Sequence, residues 1–212
     1  MSSASSNAQF VTIDPNAQSA HENYKLLIGS ILPRPIAFVS TQSSAGVLNL
    51  APYSFFTGVC SNPPTILFCP TIRGSDGRKK DTLINIEETG EFVVNIVSES
   101  IVAPMNQTAE EFPPDINEFE AAGLTPAPSV QVKPPRVLES PISMECVKQQ
   151  IIYVGDGAAG SGNIVLGTVV RFHIRADLYE AGRIDTALLQ PVGRLAGSAY
   201  CHVKEMFELA RP

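Results

Sequence analysis

Two long β-prone segments, residues 143–154 and 163–174, are joined by a glycine-rich turn over residues 155–162. Such a pair predicts a long antiparallel hairpin, which has to be part of a larger sheet to bury one face. Shorter strands are predicted upstream. Residues 35–41 and 47–50 flank the turn cluster 42–46, and residues 53–59 and 65–69 flank the turn Ser61-Asn-Pro-Pro. A further strand is predicted over residues 92–97. Helices are expected over residues 21–30, from residue 81 to Gly90, from Ser100, and near residues 117–122. Asp81 or Thr82 is the expected N-cap of the second helix, and Gly90 stands where a C′ glycine belongs. The expected fold class is mainly β with inserted helices, an antiparallel, Greek-key-like small barrel. Strands do not alternate with helices as a doubly wound sheet requires, and no G-x-G-x-x-G follows a strand.

The ends and connections read differently. Residues 1–20 are small and polar and are expected to form a mobile arm, with a short strand at residues 11–14. A single domain is expected over residues 21–212. Five prolines between residues 125 and 141 predict an extended surface connection with a short edge strand at residues 136–138. From Asp177 the chain is expected to be irregular around residues 188–194.

Composition excludes several functions. Hydrophobic residues make up 44% and charged residues 17%, which is too apolar for a disordered chain. A net charge of −6 argues against nucleic-acid binding. No apolar stretch approaches the length of a membrane span. The N-terminus has no basic segment followed by an apolar run, so no signal peptide is expected. Cys60, Cys69, Cys146 and Cys201 show no CxxC spacing, and they read as packed, reduced thiols of a cytoplasmic protein.

Residues 73–82 (Arg-Gly-Ser-Asp-Gly-Arg-Lys-Lys-Asp-Thr) hold four of the fifteen lysines and arginines and end at a predicted helix start. Helix N-termini offer free N–H groups and partial positive charge, and Gly74 and Gly77 permit close backbone approach. This combination suits a phosphate monoester, although the run is not a P-loop. A solvated loop capping a helix is the alternative. Residues 49–57 form a second candidate, because small and polar residues and Pro52 interrupt an apolar strand. Proline there demands a bulge or a sheet edge, and the freed backbone groups can meet a flat heteroaromatic ring. A plain turn between strands is the alternative.

Three motifs follow one another at close spacing: Pro-Arg-Pro-Ile-Ala-Phe-Val-Ser-Thr at 33–41, Asn-Leu-Ala-Pro-Tyr-Ser-Phe-Phe at 49–56 and Lys-Lys-Asp-Thr-Leu-Ile-Asn at 79–85. Together they resemble the flavin reductase-like family of FMN-binding split barrels. Residues 92–96, 105–108, 167–174 and 193–200 fit as well, so the resemblance spans residues 22–203. It implies a homodimer with one FMN per subunit near the interface. Arg34, Ser40, Thr41, Asn49, Leu50, Ala51, Pro52, Tyr53 and Ser54 would surround the isoalloxazine and ribityl chain. Ser75, Arg78, Lys79, Lys80, Asp81 and Thr82 would hold the phosphate, with Arg194 and Tyr200 of either subunit close by. The implied activity passes electrons from NADH or NADPH to free flavin, a partner protein or a small organic acceptor. A non-catalytic FMN-binding electron carrier is the alternative.

Among the histidines, His21 is expected to be exposed, His202 follows Tyr200 in the tail, and His173 lies in an apolar strand. A lone histidine in such a strand is ordinarily a satisfied core residue; the resemblance puts His173 near the nicotinamide side of the pocket. Hydride transfer between nicotinamide and flavin needs no protein acid or base, so no side chain is obligatory for it. No metal site is expected, since neither His173 nor His202 has a carboxylate or cysteine at ligand spacing.

Overall fold

The computed structural model describes residues 9–210. Helix α1 (Ala20–Ser30) begins at a capping box, in which the Ser19 hydroxyl accepts from the Glu22 N–H and Glu22 bonds back to Ser19. Residues 11–14 form no strand: Phe10 and Val11 are exposed and no neighbouring strand offers a ladder. Residues 1–8 of the expected arm lie outside the described residues.

Strands β1 (Ala37–Gln42), β2 (Leu48–Tyr53), β3 (Phe56–Ser61) and β4 (Pro64–Phe68) lead through α2 (Asp81–Thr89) to β5 (Glu91–Ile96). Then α3 (Val102–Gln107), α4 (Glu118–Ala121) and two short strands, β6 (Pro126–Ala127) and β7 (Arg136–Val137), pass to the long hairpin β8 (Ile142–Val154) and β9 (Gly162–Ile174). Beyond it lie the hairpin β10 (Tyr179–Glu180) and β11 (Arg183–Ile184), α5 (Thr186–Leu189), and a last hairpin, β12 (Val192–Arg194) with β13 (Tyr200–His202). The region expected to be irregular is therefore built from short hairpins.

Seven strands pair in the order β2-β1-β5-β8-β9-β4-β3, and every pairing is antiparallel. The two outermost strands, β2 and β3, are consecutive in the chain and separated by Ser54 and Phe55 alone. Three Cα steps span about 11 Å at most. The sheet must curl until its opposite edges nearly meet, although β2 and β3 do not pair. The product is a barrel with an open seam. The expected strand over residues 53–59 is divided at this seam, with Tyr53 ending β2 and Phe56 opening β3. Pro52 falls on the edge strand β2, where its missing N–H is tolerated.

Side chains from both edges meet inside the barrel. Tyr53 of β2 packs on Phe68 of β4 with ring centroids 5.2 Å apart, and Phe68 packs on Phe92 of β5 at 5.5 Å. Leu83 and Ile86 of α2 join the same core. A second core lies outside the barrel, where Phe38 and Leu50 meet Ile101, Met105, Phe119 and Val137. Helix α2 ends as expected, with Gly90 left-handed at φ 74° and its N–H on Ile86 O. Its start differs: Lys80 is the N-cap residue, and no side chain caps the helix. Cys60 also differs from its expected packing, since β3 is an exposed edge strand and Cys60 is exposed on it. No helix among the described residues is long and apolar enough to cross a membrane.

The proline-rich connection is pinned by Glu145, which is fully buried. Its carboxylate accepts from the N–H groups of Val130, Gln131 and Val132, and it is bonded to His173 Nε2. Burial pushes its pKa up, but these bonds outweigh it and hold the carboxyl below its usual range.

A β-carbon at Gly167 would run into the Phe92 ring. We expect Gly167→Ala to lower the unfolding free energy by about 2 kcal/mol, as overpacking a core does. A urea titration should show a lower midpoint at unchanged slope, and an unchanged midpoint would contradict this packing.

Candidate functional site

The site grows from the carboxamide of Asn49, which is buried on β2. Its Nδ2 donates to Glu118 Oε1 of α4 at 2.9 Å. Its Oδ1 accepts from Thr82 Oγ1 at 2.9 Å, and from Thr41 Oγ1 at 3.3 Å. Asn85 Nδ2 donates in turn to Thr41 Oγ1 at 3.0 Å. The Leu50 N–H donates to Glu118 Oε2 at 3.0 Å. One amide thus joins the edge strand to the first turn of α2 and to α4.

A cleft opens above this junction. It is bordered by Asn49, Ala51, Pro52, Tyr53, Arg73, Lys80, Asp81, Thr82 and Glu118, with residues 108–112 opposite. The uncapped start of α2 faces it. The N–H groups of Asp81 and Thr82 have no acceptor among the described residues. Arg73 is only 8% exposed and pairs with Asp81, yet its Nε is buried with no hydrogen-bond partner. The Tyr53 hydroxyl is likewise buried and unpartnered. Buried polar groups without partners are rare, and two on one cleft wall make it the candidate site.

Burial sets the electrostatics. It pushes the Tyr53 phenol up, and it pushes the half-buried Lys80 ammonium down, with repulsion from Arg73 adding to the effect. Burial also raises the Glu118 carboxyl, against the hydrogen bonds it accepts.

A second cleft adjoins the first and shares Pro52, Tyr53 and Ala109 with it. Its other walls are Ile36, Ser54, Met105, Asn106, Arg194 and Tyr200. The Arg194 guanidinium stacks 4.4 Å from the Tyr200 ring centroid, and Tyr200 Oη donates to Asn106 Oδ1 at 2.7 Å. Arg194 and Tyr200 therefore reach the neighbourhood of Tyr53 within their own chain.

The remaining sequence candidates lie elsewhere. Ser40 is buried on the other face of β1 and donates to Pro135 O, and Leu50 packs in the outer core. Thr41 lies behind Asn49 and borders neither cleft. Ser75 bonds Glu111, Arg78 pairs with Asp76, and Lys79 pairs with Glu87. Arg78 and Lys79 border a separate groove that shares Asn49, Arg73 and Asp81 with the first cleft. Arg34 is buried and borders neither cleft. His173 also borders neither, and its imidazole is held by Glu145 under the proline-rich connection. His202 pairs with Glu99. No group of three or more potential metal-ligating side chains occurs among the described residues.

Arg73 and Glu118 were missing from the expected set. Arg73 opens the basic run, so its signal was present in the sequence. Glu118 is distant in sequence, and no local pattern marks it.

Because Glu118 is raised from its usual 4.5, the folded protein binds its proton more tightly than the unfolded chain does. Its contribution to stability is present at low pH and is lost as pH rises through the folded-state value. In urea titrations, the stability of Glu118→Gln relative to the wild type should therefore rise with pH above 4.5 and then level off. A flat difference would show that the carboxyl is not perturbed.

Residues 28–192 match the Flavin reductase like domain. A protein of Halalkalibacterium halodurans without an assigned function is 44% identical over 94% of this chain and 96% of its own length. The structure of nitrilotriacetate monooxygenase component B from Bacillus cereus is 46% identical, with a TM-score of 0.90 over 95% of this chain and all of that one. The 2-nitrobenzoate 2-nitroreductase of Pseudomonas fluorescens is 34% identical, with a TM-score of 0.84 over 95% of this chain and 96% of its own. The open-seamed barrel, the paired clefts beside the seam and this match over most of the chain make the protein a member of the flavin reductase-like family.

Proposed function

We propose that the protein is an FMN-dependent oxidoreductase that accepts hydride from NADH or NADPH and passes electrons to a partner protein, free flavin or a small organic acceptor. The observation that carries this reading is the pair of unpartnered buried polar atoms, Arg73 Nε and Tyr53 Oη, on the cleft at the start of α2.

The donor set fits FMN. Arg73, Lys80 and the first N–H groups of α2 supply positive charge for one phosphate, where a diphosphate would ask for more. Tyr53 and the main chain around Pro52 offer donors and a flat wall along the neighbouring stretch. Arg194 and Tyr200 form a stacked cationic and aromatic surface on the second cleft, suited to a planar ring. When bound, FMN supplies the two-electron chemistry that no side chain here provides. The chain's own residues orient the reactants and exclude water. Two relatives, a monooxygenase component B and a nitroreductase, support acceptors of two kinds: a partner component and a small organic molecule. Exposed apolar side chains on β3, β8 and β9, among them Val59, Tyr153, Val154 and Phe172, support a homodimer.

The deciding experiment adds NADH or NADPH without oxygen to protein loaded with FMN. Rapid loss of the flavin's visible absorbance is expected. A flavin bleached by dithionite but by neither nucleotide would replace this reading with the electron carrier, and failure to bind FMN would overturn both.

Lys80→Met should weaken FMN binding about tenfold, a loss of about 1.4 kcal/mol. Riboflavin, which lacks the phosphate, should bind the variant as it binds the wild type. Fluorescence titration of both ligands checks this, and an equal loss for both would remove Lys80 from the phosphate.

A further inference from the structure

Arg34 lies in the first family motif, yet its side chain is 3% exposed and borders neither cleft. No carboxylate pairs with it among the described residues. The guanidinium instead gathers oxygen acceptors from three segments. Nη1 donates to Ile28 O at 2.7 Å and Ile31 O at 2.8 Å, at the C-terminal end of α1. Nη2 donates to Leu195 O at 3.0 Å, and Nε donates to Ser54 Oγ at 3.2 Å. The helix end contributes partial negative charge that offsets the buried cation. The main chain adds a reciprocal pair: Arg34 N–H to Arg194 O at 3.0 Å and Arg194 N–H to Arg34 O at 2.8 Å.

The consequence is local. Ser54 ends the β2 side of the seam, and Leu195 follows Arg194 in the β12–β13 hairpin. Both Ser54 and Arg194 border the second cleft. Arg34 touches neither Arg73, Lys80 nor the start of α2.

We infer that Arg34 is a positioning residue for the flavin site: it fixes the second cleft's wall by tying Ser54 and the Arg194–Tyr200 hairpin to the end of α1. This rests on the proposed flavin reading and adds which side of the flavin the residue serves. The planar fork is essential, because four acceptors in three segments cannot be met from the single nitrogen of a lysine.

The test is Arg34→Lys, with FMN and riboflavin affinities measured by fluorescence titration. Amide exchange is followed over residues 192–202 in flavin-free protein. A loosened wall must be re-ordered by the ligand, so both flavins should bind about tenfold more weakly. Their affinity ratio should stay at the wild-type value. Exchange should quicken over residues 192–202 and stay slow over β8 and β9. A loss confined to FMN would make Arg34 a phosphate contact and overturn the inference. Faster exchange with both affinities unchanged would reduce Arg34 to a structural residue and also overturn it. If Arg34→Lys does not fold, Ser54→Ala removes the tie between Arg34 and the β2 side of the cleft, and unchanged affinity for both flavins in that variant overturns the inference. A wild-type protein that binds neither flavin overturns the reading of the site, and this role with it. Wild-type binding with unaltered Arg34→Lys affinities overturns this role alone.

Discussion

Two residues, Ser54 and Phe55, join the strands at opposite edges of a seven-stranded sheet, and that short link forces the sheet to close. The closure has no ladder of its own, so other interactions must hold the seam. Inside the barrel, Tyr53 packs against Phe68 across it. Outside, Arg34 bonds Ser54 and lies 6.0 Å from the Phe55 ring centroid. Both clefts are built on the residues just before the link, Pro52 and Tyr53. An edge strand next to an unpaired seam has free backbone groups, and a binding site can use them without breaking a sheet.

Much of this was legible locally. The β8–β9 hairpin, the β1–β2 hairpin, α2 with its Gly90 cap and the basic run each carry a signal within a few residues. Pro52 announced an edge for a steric reason that needs no partner. The placement of Ser40 and Thr41 was less accessible. Successive strand residues face opposite ways, and only one face of β1 looks toward the clefts. Two cations of the basic run, Arg78 and Lys79, were indistinguishable in sequence from Lys80 and Arg73. They diverge because Arg78 and Lys79 find surface carboxylates, while Arg73 is buried and Lys80 half-buried. Glu118 arrives from a separate helix and is chosen by the fold alone. Cys60 misled because an apolar run reads as buried, although its strand lies at an open edge.

The first cleft carries both signs of charge. Asp81 is bound to Arg73, Glu111 to Ser75, and Glu118 to Asn49 and the Leu50 N–H. These three acids are engaged and Glu110 is exposed at the border, whereas Lys80 has no ion pair among the described residues and Arg73 Nε has no hydrogen-bond partner. Net charge is therefore a poor guide to what such a cleft attracts. An anion responds to the donors that remain after internal pairing, and a desolvated donor interacts far more strongly than an exposed one.

Two buried groups illustrate opposite solutions to the same problem. Glu145 is a buried anion satisfied by main-chain N–H groups and an imidazole, and it anchors the proline-rich connection. Arg34 is a buried cation satisfied by main-chain carbonyls, and it anchors the end of α1 and the last hairpin. Arg34 relies on no opposite charge that could exchange with a bound phosphate or carboxylate, and Glu145 takes three of its four hydrogen bonds from main-chain N–H groups. A site whose supports are tied to backbone dipoles can keep its shape while charged ligands come and go. The clefts beside the seam have that arrangement: the groups free to bind face inward, and the charges that hold the walls are already satisfied.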